Sequence, residues 1–155
     1  MTTQTFADYA AQQDARNTVQ LNITKYCFMV CDALVKNYID YSINSHEKAI
    51  ANYEYTYGTT DSVQSNYHQE SIAKLKDGIC DYTFYVQSGR KYHKIMMNAA
   101  GSHSVHAFVD RKTGEMYKAA SFKAPAKGVR FNLNVIKDRE FVLEHADWAG
   151  GYLYK

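Results

Sequence analysis

The sequence contains few of the residues that usually indicate a particular fold or cellular compartment. Its 155 residues include three cysteines, one proline and one tryptophan. An odd number of cysteines argues against a disulfide framework and is typical of a reducing, intracellular setting. The first residues lack the apolar segment of a signal peptide, and no apolar run approaches the roughly 20 residues that span a bilayer. We therefore expect a cytoplasmic protein with no membrane partner.

Standard catalytic and cofactor-binding motifs are also absent. The patterns G-x-S-x-G, H-E-x-x-H, G-x-G-x-x-G, C-x-x-C and the phosphate-binding Walker loop do not occur. Cys27 and Cys31 lie four residues apart in a helical pattern, which favours two small buried residues over half of a metal site. Cys80 stands alone. We predict no metal and no cofactor, and the missing motifs favour a binding protein over an enzyme.

The chain is rich in tyrosine and its charge is unevenly distributed. It has fourteen tyrosines, whose rings suit half-buried surfaces while their hydroxyl groups stay polar. The net charge is only +2, but residues 86–130 contain nine Lys/Arg and two acidic residues, and the remainder is acidic overall. This asymmetry suggests an anionic partner. The alternative is a strand-rich segment that uses lysine to protect a sheet edge from pairing.

The hydrophobic periodicity changes once along the chain. Between residues 18 and 44, apolar residues recur every three or four positions, which predicts a long amphipathic helix. From residue 82 onward, alternating aromatic and β-branched residues predict strands. We predict a single domain (1–155) made of a polar arm or short helix (1–17), a mostly helical part (18–80), a strand-rich part (82–136) and a C-terminal helix or tail (137–155). The predicted class is α+β, with the long N-terminal helix and shorter helices packed on a mainly antiparallel sheet of about four or five strands.

The strongest hairpin signal surrounds the loop at residues 111–114, where a glycine ends a short turn between two alternating segments. On the strand before this loop, Val105, Ala107 and Val109 are predicted to face the core. On the strand after it, the core-facing residues are predicted to be Tyr117 and Ala119 or the residues that alternate with them.

The stretch SFKAPAKGVRFNLN, residues 121–134, holds the only proline and no acidic residue. Pro125 restrains the backbone, and Gly128 lets the backbone approach a ligand closely. We expect the backbone N–H groups of residues 126–128 to be available to a ligand. The predicted anion site comprises five basic residues: Lys94, Lys118, Lys123, Lys127 and Arg130. The residues predicted to stack on bases are Tyr92, Tyr117 and Phe122. A structural turn bordered by solvated lysines is the alternative.

Two histidines in one predicted strand are the candidates for catalysis. His103 and His106 are three residues apart, so we expect them on opposite faces unless the strand contains a bulge. His106 is then expected to share its face with Phe108. A histidine beside Lys94 and Arg130 would suit cleavage of a phosphate ester, with the cations holding the oxyanion. The alternative is that both histidines are structural or surface residues.

The segment SVHAFVDRKTGEMYKAASFKAPAKGVRFNL, residues 104–133, resembles a recurrent segment in small, mostly uncharacterised proteins of tailed bacteriophages. The end of the chain, residues 150–154, is similar to the G-YLY ending of those proteins. The resemblance covers about the last half of the chain and brings no activity and no catalytic residue with it. It implies an accessory protein encoded by a phage and made in the cytoplasm of an infected bacterial host.

These observations leave three functional hypotheses. The first is a phage accessory protein that binds an anionic partner, namely nucleic acid, a nucleotide or an acidic host protein, through a basic, tyrosine-rich face. The second is an enzyme that cleaves a phosphate ester with histidine, lysine and arginine. The third is a structural or protein-interaction role, in which the long helix pairs with its copy in a homodimer. Charge asymmetry and the missing motifs favour the first.

Overall fold

The structure, a computed structural model, describes residues 5–154 and contains a helical part followed by a sheet. The elements in chain order are α1 (Phe6–Tyr57), α2 (Val63–Lys76), β1 (Tyr82–Ser88), β2 (Tyr92–Ala99), β3 (Ser102–Asp110), β4 (Glu115–Lys118), β5 (Phe131–Asn132), α3 (Ile136–His145) and a short 3-10 helix (Gly151–Leu153). The five strands form one antiparallel sheet in sequence order. The predicted α+β class, with a long N-terminal helix on an antiparallel sheet, is confirmed.

Helix α1 is much longer than the helix predicted over residues 18–44. Its 52 residues extend back through most of the predicted N-terminal arm and forward to Tyr57, within the part predicted to be mostly helical (18–80). Residues 1–4 of that arm lie outside the described part of the chain. The helix begins at Thr5, whose hydroxyl oxygen accepts the N–H of Asp8, and ends at Gly58 in the left-handed conformation. Within residues 5–154, no helix combines the length and the apolarity needed to cross a bilayer.

The core lies between the middle of α1 and one face of the sheet, which we call the inner face. The buried stripe of α1 follows the helical period and consists of Ile23, Cys27, Val30, Cys31 and Leu34. It packs against inner-face residues of the first four strands, namely Phe84, Ile95, Ala107, Val109 and Met116. The remaining core residues come from the C-terminal part and are Phe131, Leu133, Val142, Ala146 and Leu153. Burial of this apolar surface is the main favourable contribution to the fold.

A β-bulge in β3 changes which residues face the core. Ile95 pairs with Ala107 but its neighbour Met96 pairs with Val105, so His106 is an extra residue on β3. The prediction for Ala107 and Val109 is therefore confirmed, whereas Val105 lies outside the core cluster. On β4 the core-facing residue is Met116, which alternates with Tyr117, and Tyr117 lies on the opposite face.

The C-terminal tail is fastened to α1 by the only tryptophan. The Trp148 indole packs edge-on against the rings of Tyr38 and Tyr82, which stack on each other with centroids 4.2 Å apart. The Trp148 backbone N–H donates to the Asn37 side-chain oxygen at 3.0 Å. Edge-to-face aromatic pairs of this kind add to the energy of simple burial. These contacts join the tail to α1 and to the first residue of β1.

Candidate anion-binding site

The predicted anion site does not form one continuous surface. Lys94 lies on the outer face of the sheet, where its Nζ donates to the Phe122 carbonyl oxygen at 2.7 Å and lies 4.5 Å from the centroid of that ring. Lys118 pairs with Ala107 of the core and therefore points to the inner side, with its Nζ 3.9 Å from the centroid of the Tyr154 ring. Two of the five expected cations are thus separated by the thickness of the sheet.

The connection between β4 and β5, which holds the other three cations, closes on itself. The N–H groups of Ala120 and Ser121 both donate to the Ala124 carbonyl oxygen, at 3.0 and 3.1 Å. The Ala126 N–H donates to the Lys118 carbonyl oxygen at 2.7 Å, so this group is not available to a ligand as the sequence suggested. The connection is held mainly by its own backbone hydrogen bonds.

The three cations of this connection are spread along it. Lys123 and Lys127 are exposed. The guanidinium of Arg130 lies beside Gly128, where an added Cβ would come within 3.2 Å of its Nη1. Gly128 has a φ of 95° and is therefore suited to a position that other residues avoid.

The residues predicted to stack on bases do lie together on the outer face. Tyr92 and Tyr117 form an edge-on pair with ring centroids 6.1 Å apart, and Tyr92 also packs edge-on against Phe108. Lys94 extends over both Phe108 and Phe122, and the Phe122 side chain is 51% exposed. We call Tyr92, Phe108, Tyr117 and Phe122 the aromatic face. One carboxylate adjoins it, because the Tyr117 hydroxyl donates to Glu115 at 2.8 Å.

The two candidate catalytic histidines lie on opposite faces and do not meet. His103 is exposed on the outer face, where its Nδ1 and the Tyr85 hydroxyl are 2.7 Å apart. Because of the bulge, His106 faces inward, and the expectation that it shares a face with Phe108 is wrong. The His106 ring packs against Phe84 of the core, and its Nε2 lies 2.8 Å from the Tyr152 hydroxyl.

The environment of His106 disfavours a charged imidazole. Burial lowers the pKa of His106 to about 4, and the carboxylate of Asp147 opposes this shift only in part. A neutral imidazole at pH 7 accepts or donates a hydrogen bond but carries no charge for an anion. His106 therefore stabilises the attachment of the tail, and Lys118 is the one predicted anion-binding residue near it.

Another group of cations converges on a cleft between α1 and one end of the sheet. The cleft has a volume of about 460 Å³ and is lined by Gln20, Arg90, Lys91, Asp110, Arg111 and Lys112. An adjoining cavity of about 630 Å³ shares Gln20 and Lys112 and adds Arg16 of α1. We call this combined region the cationic cleft. Five basic side chains and one carboxylate line it, so its potential is positive.

Strand connectivity explains why these cations meet. In an antiparallel sheet ordered as the sequence is, the β1–β2 and β3–β4 turns lie at the same end. The first turn carries Arg90 and Lys91, and the second carries Arg111 and Lys112. All four residues belong to the basic segment 86–130, but the predicted anion site included none of them. The topology of consecutive hairpins was the available signal.

Hydrogen bonds within the two turns hold the cleft in shape. The Arg111 Nη1 donates to the Gly89 carbonyl oxygen at 2.6 Å, which joins one turn to the other. Asp110 Oδ1 accepts the backbone N–H groups of Lys112 and Thr113 at 2.8 and 3.0 Å. These hydrogen bonds hold the Asp110 carboxylate in the turn, and its single negative charge is set against the five positive charges of the cleft.

The cationic cleft and the aromatic face adjoin each other at one residue pair. The Lys91 Nζ lies 5.3 Å from the centroid of the neighbouring Tyr92 ring. Positive charge and aromatic rings are therefore contiguous around the β1–β2 turn, a combination suited to groups that carry both phosphate and a planar base.

The two cysteines of α1 are buried, and their surroundings disfavour the thiolate form that binds metal ions. Burial, and to a smaller extent the neighbouring Cys31, raises the pKa of the Cys27 thiol to about 12, so this group stays protonated. The pKa of Cys31 is raised to about 12, first by burial and then by Asp32. Among residues 5–154, no cluster of three or more histidine, cysteine, aspartate or glutamate side chains is arranged to hold a metal ion.

Comparison with known proteins identifies the family of the chain. No curated protein and no solved structure matches the chain significantly. One family model does match, and it covers residues 6–155, that is, α1 through the C-terminal tail with the cationic cleft included. The chain therefore belongs to DUF7717, a family of unknown function.

Proposed function

We propose that this protein binds single-stranded nucleic acid, with phosphates in the cationic cleft and bases against the aromatic face. The observation that carries the proposal is the convergence of five basic side chains from α1 and two sheet turns next to the partly exposed ring of Tyr92. In the setting that the sequence resemblance implies, this would be an accessory activity of a phage protein inside an infected bacterium.

The composition of the cleft suits phosphate groups. Arg16, Arg90 and Arg111 carry planar guanidinium groups that can donate two parallel hydrogen bonds to phosphate oxygens. Lys91 and Lys112 add charge at the two turns. The two adjoining cavities run from the turns along α1, and an elongated path of this kind suits several consecutive phosphates better than one isolated anion.

The aromatic face favours a single strand over a duplex. Aromatic side chains stack on bases only when the bases are unpaired and accessible. Phe122 is half exposed, and Tyr92 borders the cleft through Lys91. We therefore expect a base to stack on the aromatic face when the phosphate next to it is bound in the cationic cleft.

A pair of double variants tests this assignment. Lys91→Ala/Lys112→Ala removes two charges from the cleft, and Lys123→Ala/Lys127→Ala removes the same two charges from the β4–β5 connection. We expect the first variant to bind a fluorescent single-stranded oligonucleotide of about 15 nucleotides about tenfold more weakly, measured by fluorescence anisotropy in low salt. The second variant should bind within about twofold of wild type, because its lysines lie outside the cleft.

Both double variants have the same formal charge. A difference in their affinity for the oligonucleotide therefore reflects where the lysines lie and not the net charge of the protein. Equal losses in the two variants would show that only overall charge matters and would remove the cleft from the proposal. Undetectable binding of oligonucleotides by the wild-type protein in low salt would overturn nucleic-acid binding itself, and an acidic protein would then be the partner to seek.

A further inference from the structure

A chain of hydrogen bonds at the rim of the cationic cleft links Ser88 of β1, His93 of β2 and Thr24 of α1. The Ser88 Oγ lies 2.7 Å from the His93 Nδ1, and the His93 Nε2 lies 3.1 Å from the Thr24 Oγ1. Ser88 and His93 are directly opposite each other in the β1–β2 ladder. His93 is almost completely buried, whereas Ser88 is exposed.

The direction of each hydrogen bond follows from the far end of the chain. The Thr24 hydroxyl donates to the Gln20 carbonyl oxygen at 3.0 Å, so its proton is used there. The oxygen of Thr24 must then accept from His93, which places the imidazole proton on Nε2. The Nδ1 of His93 is left with a lone pair, and the Ser88 hydroxyl donates its proton to it. This is the arrangement in which a histidine activates a serine.

The surroundings keep this imidazole neutral and supply positive charge. Burial, and then the positive charge of Arg111, lowers the pKa of His93 below its ordinary value, which favours the neutral imidazole. The Arg111 guanidinium is held at the carbonyl oxygen of Gly89, the residue after Ser88. Arg90 and Lys91 follow in the same turn. Charge that develops on an oxyanion beside Ser88 would therefore be stabilised.

We infer that Ser88 is a nucleophile that attacks phosphate esters held at the cationic cleft, with His93 as its base and Thr24 as the residue that sets the tautomer. The Ser88 Oγ forms a bond to phosphorus and its proton moves to His93 Nδ1. The phosphorus–oxygen bond to the leaving alcohol breaks, and the alcohol takes that proton. Water, deprotonated by the same Nδ1, then attacks phosphorus, and the phosphorus–oxygen bond to Ser88 breaks. The Ser88 Oγ takes the proton back from His93, and phosphate or a phosphate monoester is released. The choice of phosphate esters rests on the anion binding proposed above, whereas the activation of Ser88 does not.

A fluorophosphonate probe tests the activation of Ser88 without knowledge of the natural substrate. Attack by Ser88 forms an oxygen–phosphorus bond, expels fluoride and transfers the proton to His93. We expect one probe per chain on the folded wild-type protein, located at Ser88 by peptide mass spectrometry. The adduct should be absent from Ser88→Ala and unchanged in Ser102→Ala, which removes another exposed strand serine. A folded wild-type protein that gains no adduct at Ser88 would overturn the inference.

Variants of Thr24 distinguish activation from simple exposure. Thr24→Val keeps the shape but removes the acceptor, so the imidazole proton is free to move to Nδ1 and Ser88 loses its base. We expect the labelling rate at Ser88 to fall by roughly 100-fold. Thr24→Ser keeps the hydroxyl and should restore labelling. Circular dichroism and thermal unfolding would confirm that each variant is folded. Equal labelling of Thr24→Val and wild type would show that the hydrogen-bond chain activates nothing.

The substrate class is tested by turnover of two chromogenic esters. We expect the wild-type protein to release nitrophenol from bis-para-nitrophenyl phosphate, and Ser88→Ala to abolish this release. Hydrolysis of para-nitrophenyl acetate but not of the phosphate ester would overturn the assignment to phosphate while leaving Ser88 activated. Because oligonucleotide anisotropy needs no reaction, failure of binding and failure of catalysis are separate results.

Discussion

His106 lies on the inner face of β3 because the strand has one extra residue opposite Ile95 and Met96. No signal in the sequence marks this bulge, since the residues around it alternate as in a regular strand. A strict period of two places His106 on the face of Phe108, and the bulge moves it to the face of Phe84. The side chain consequently supports the packing of the tail instead of facing solvent.

The buried His106 should make the stability of the protein depend on pH. Its folded-state pKa of about 4 is below the ordinary value of 6.5, so the folded state resists protonation that the unfolded state accepts. Stability is therefore fully present above pH 6.5 and is lost as the pH falls towards 4, by about 3 kcal/mol. Urea unfolding measured at several pH values would show the loss. His106→Gln should flatten this profile, and an equally steep profile in the variant would assign the effect to other groups.

Two leucines of α1 provide a matched test of the core at the residue scale. Leu34 is fully buried and Leu21 is 70% exposed, although both lie in the same helix. Leu34→Ala should lower the free energy of unfolding by about 2–5 kcal/mol, because it leaves a cavity. Leu21→Ala should change it by less than about 0.5 kcal/mol. Helix propensity changes equally in the two variants. The difference between their free energies of unfolding, measured by chemical denaturation, therefore reports the contribution of burial alone. Similar decreases in the two variants would contradict the packing described for α1.

At the scale of elements, the sequence predicted the central part of α1 but not that the segments on either side continue the same helix. The apolar stripe from Ile23 to Leu34 has the helical period and contacts the sheet, so periodicity found it. Beyond this stripe the helix has no fully buried residue, and alanine, glutamine and glutamate continue it through local propensity. Hydrophobic periodicity marks the residues of a helix that are buried. It therefore does not reveal the parts of a helix that are exposed to solvent on all sides.

Helix α2 is held to α1 by few buried residues and by a pair of histidines. Only Ser65 and Leu75 of α2 are buried. The Nδ1 atoms of His46 and His68 are 2.7 Å apart, so one of them carries a proton and the other accepts it. Burial, and then the neighbouring His68, lowers the pKa of His46. Two protonated rings at this distance would repel each other, which makes the contact sensitive to acid.

Acidification should therefore loosen α2 before the sheet unfolds. The His46 pKa is below its ordinary value, so the contact is fully stable above about pH 6.5 and weakens as the pH falls. Hydrogen exchange, corrected for intrinsic rates, should show faster exchange of α2 at pH 5 than at pH 7.5, relative to β2 and β3. His68→Asn keeps a hydrogen-bonding partner without a second charge and should remove this difference. Unchanged protection of wild-type α2 at pH 5 would contradict the role of the pair.

At the scale of the whole molecule, the predicted cations proved to be divided between two faces and one connection. Composition shows that the positive charge is concentrated in residues 86–130. It does not show to which face of the sheet each basic side chain points. Lys94 and Lys118 separate because strand residues alternate between faces. The cationic cleft draws Arg16 from α1, far outside the basic segment, and only the packing of α1 on the sheet brings it there.

Salt should weaken nucleic-acid binding steeply if several cations of the cleft contact phosphates. Each phosphate neutralised on a single strand contributes about −0.7 to the slope of log affinity against log salt concentration. Engagement of most of the five cations predicts a slope of about −3, measurable by anisotropy titrations at several salt concentrations. Lys91→Ala/Lys112→Ala should reduce the magnitude of this slope. A slope near zero for wild type would show that binding, where present, does not use the cleft.

The length of α1 has a mechanical consequence. At a rise of 1.5 Å per residue the helix is about 78 Å long, yet its fully buried residues all lie between Ile23 and Leu34. The sheet therefore holds α1 mainly near its middle, while the C-terminal tail and α2 contact it further along. A small tilt would displace the two arms on either side of the middle in opposite directions. One arm carries Arg16 and the other carries His46. The cationic cleft and the α2 contact thus share one continuous helix and lie some 45 Å apart along its axis.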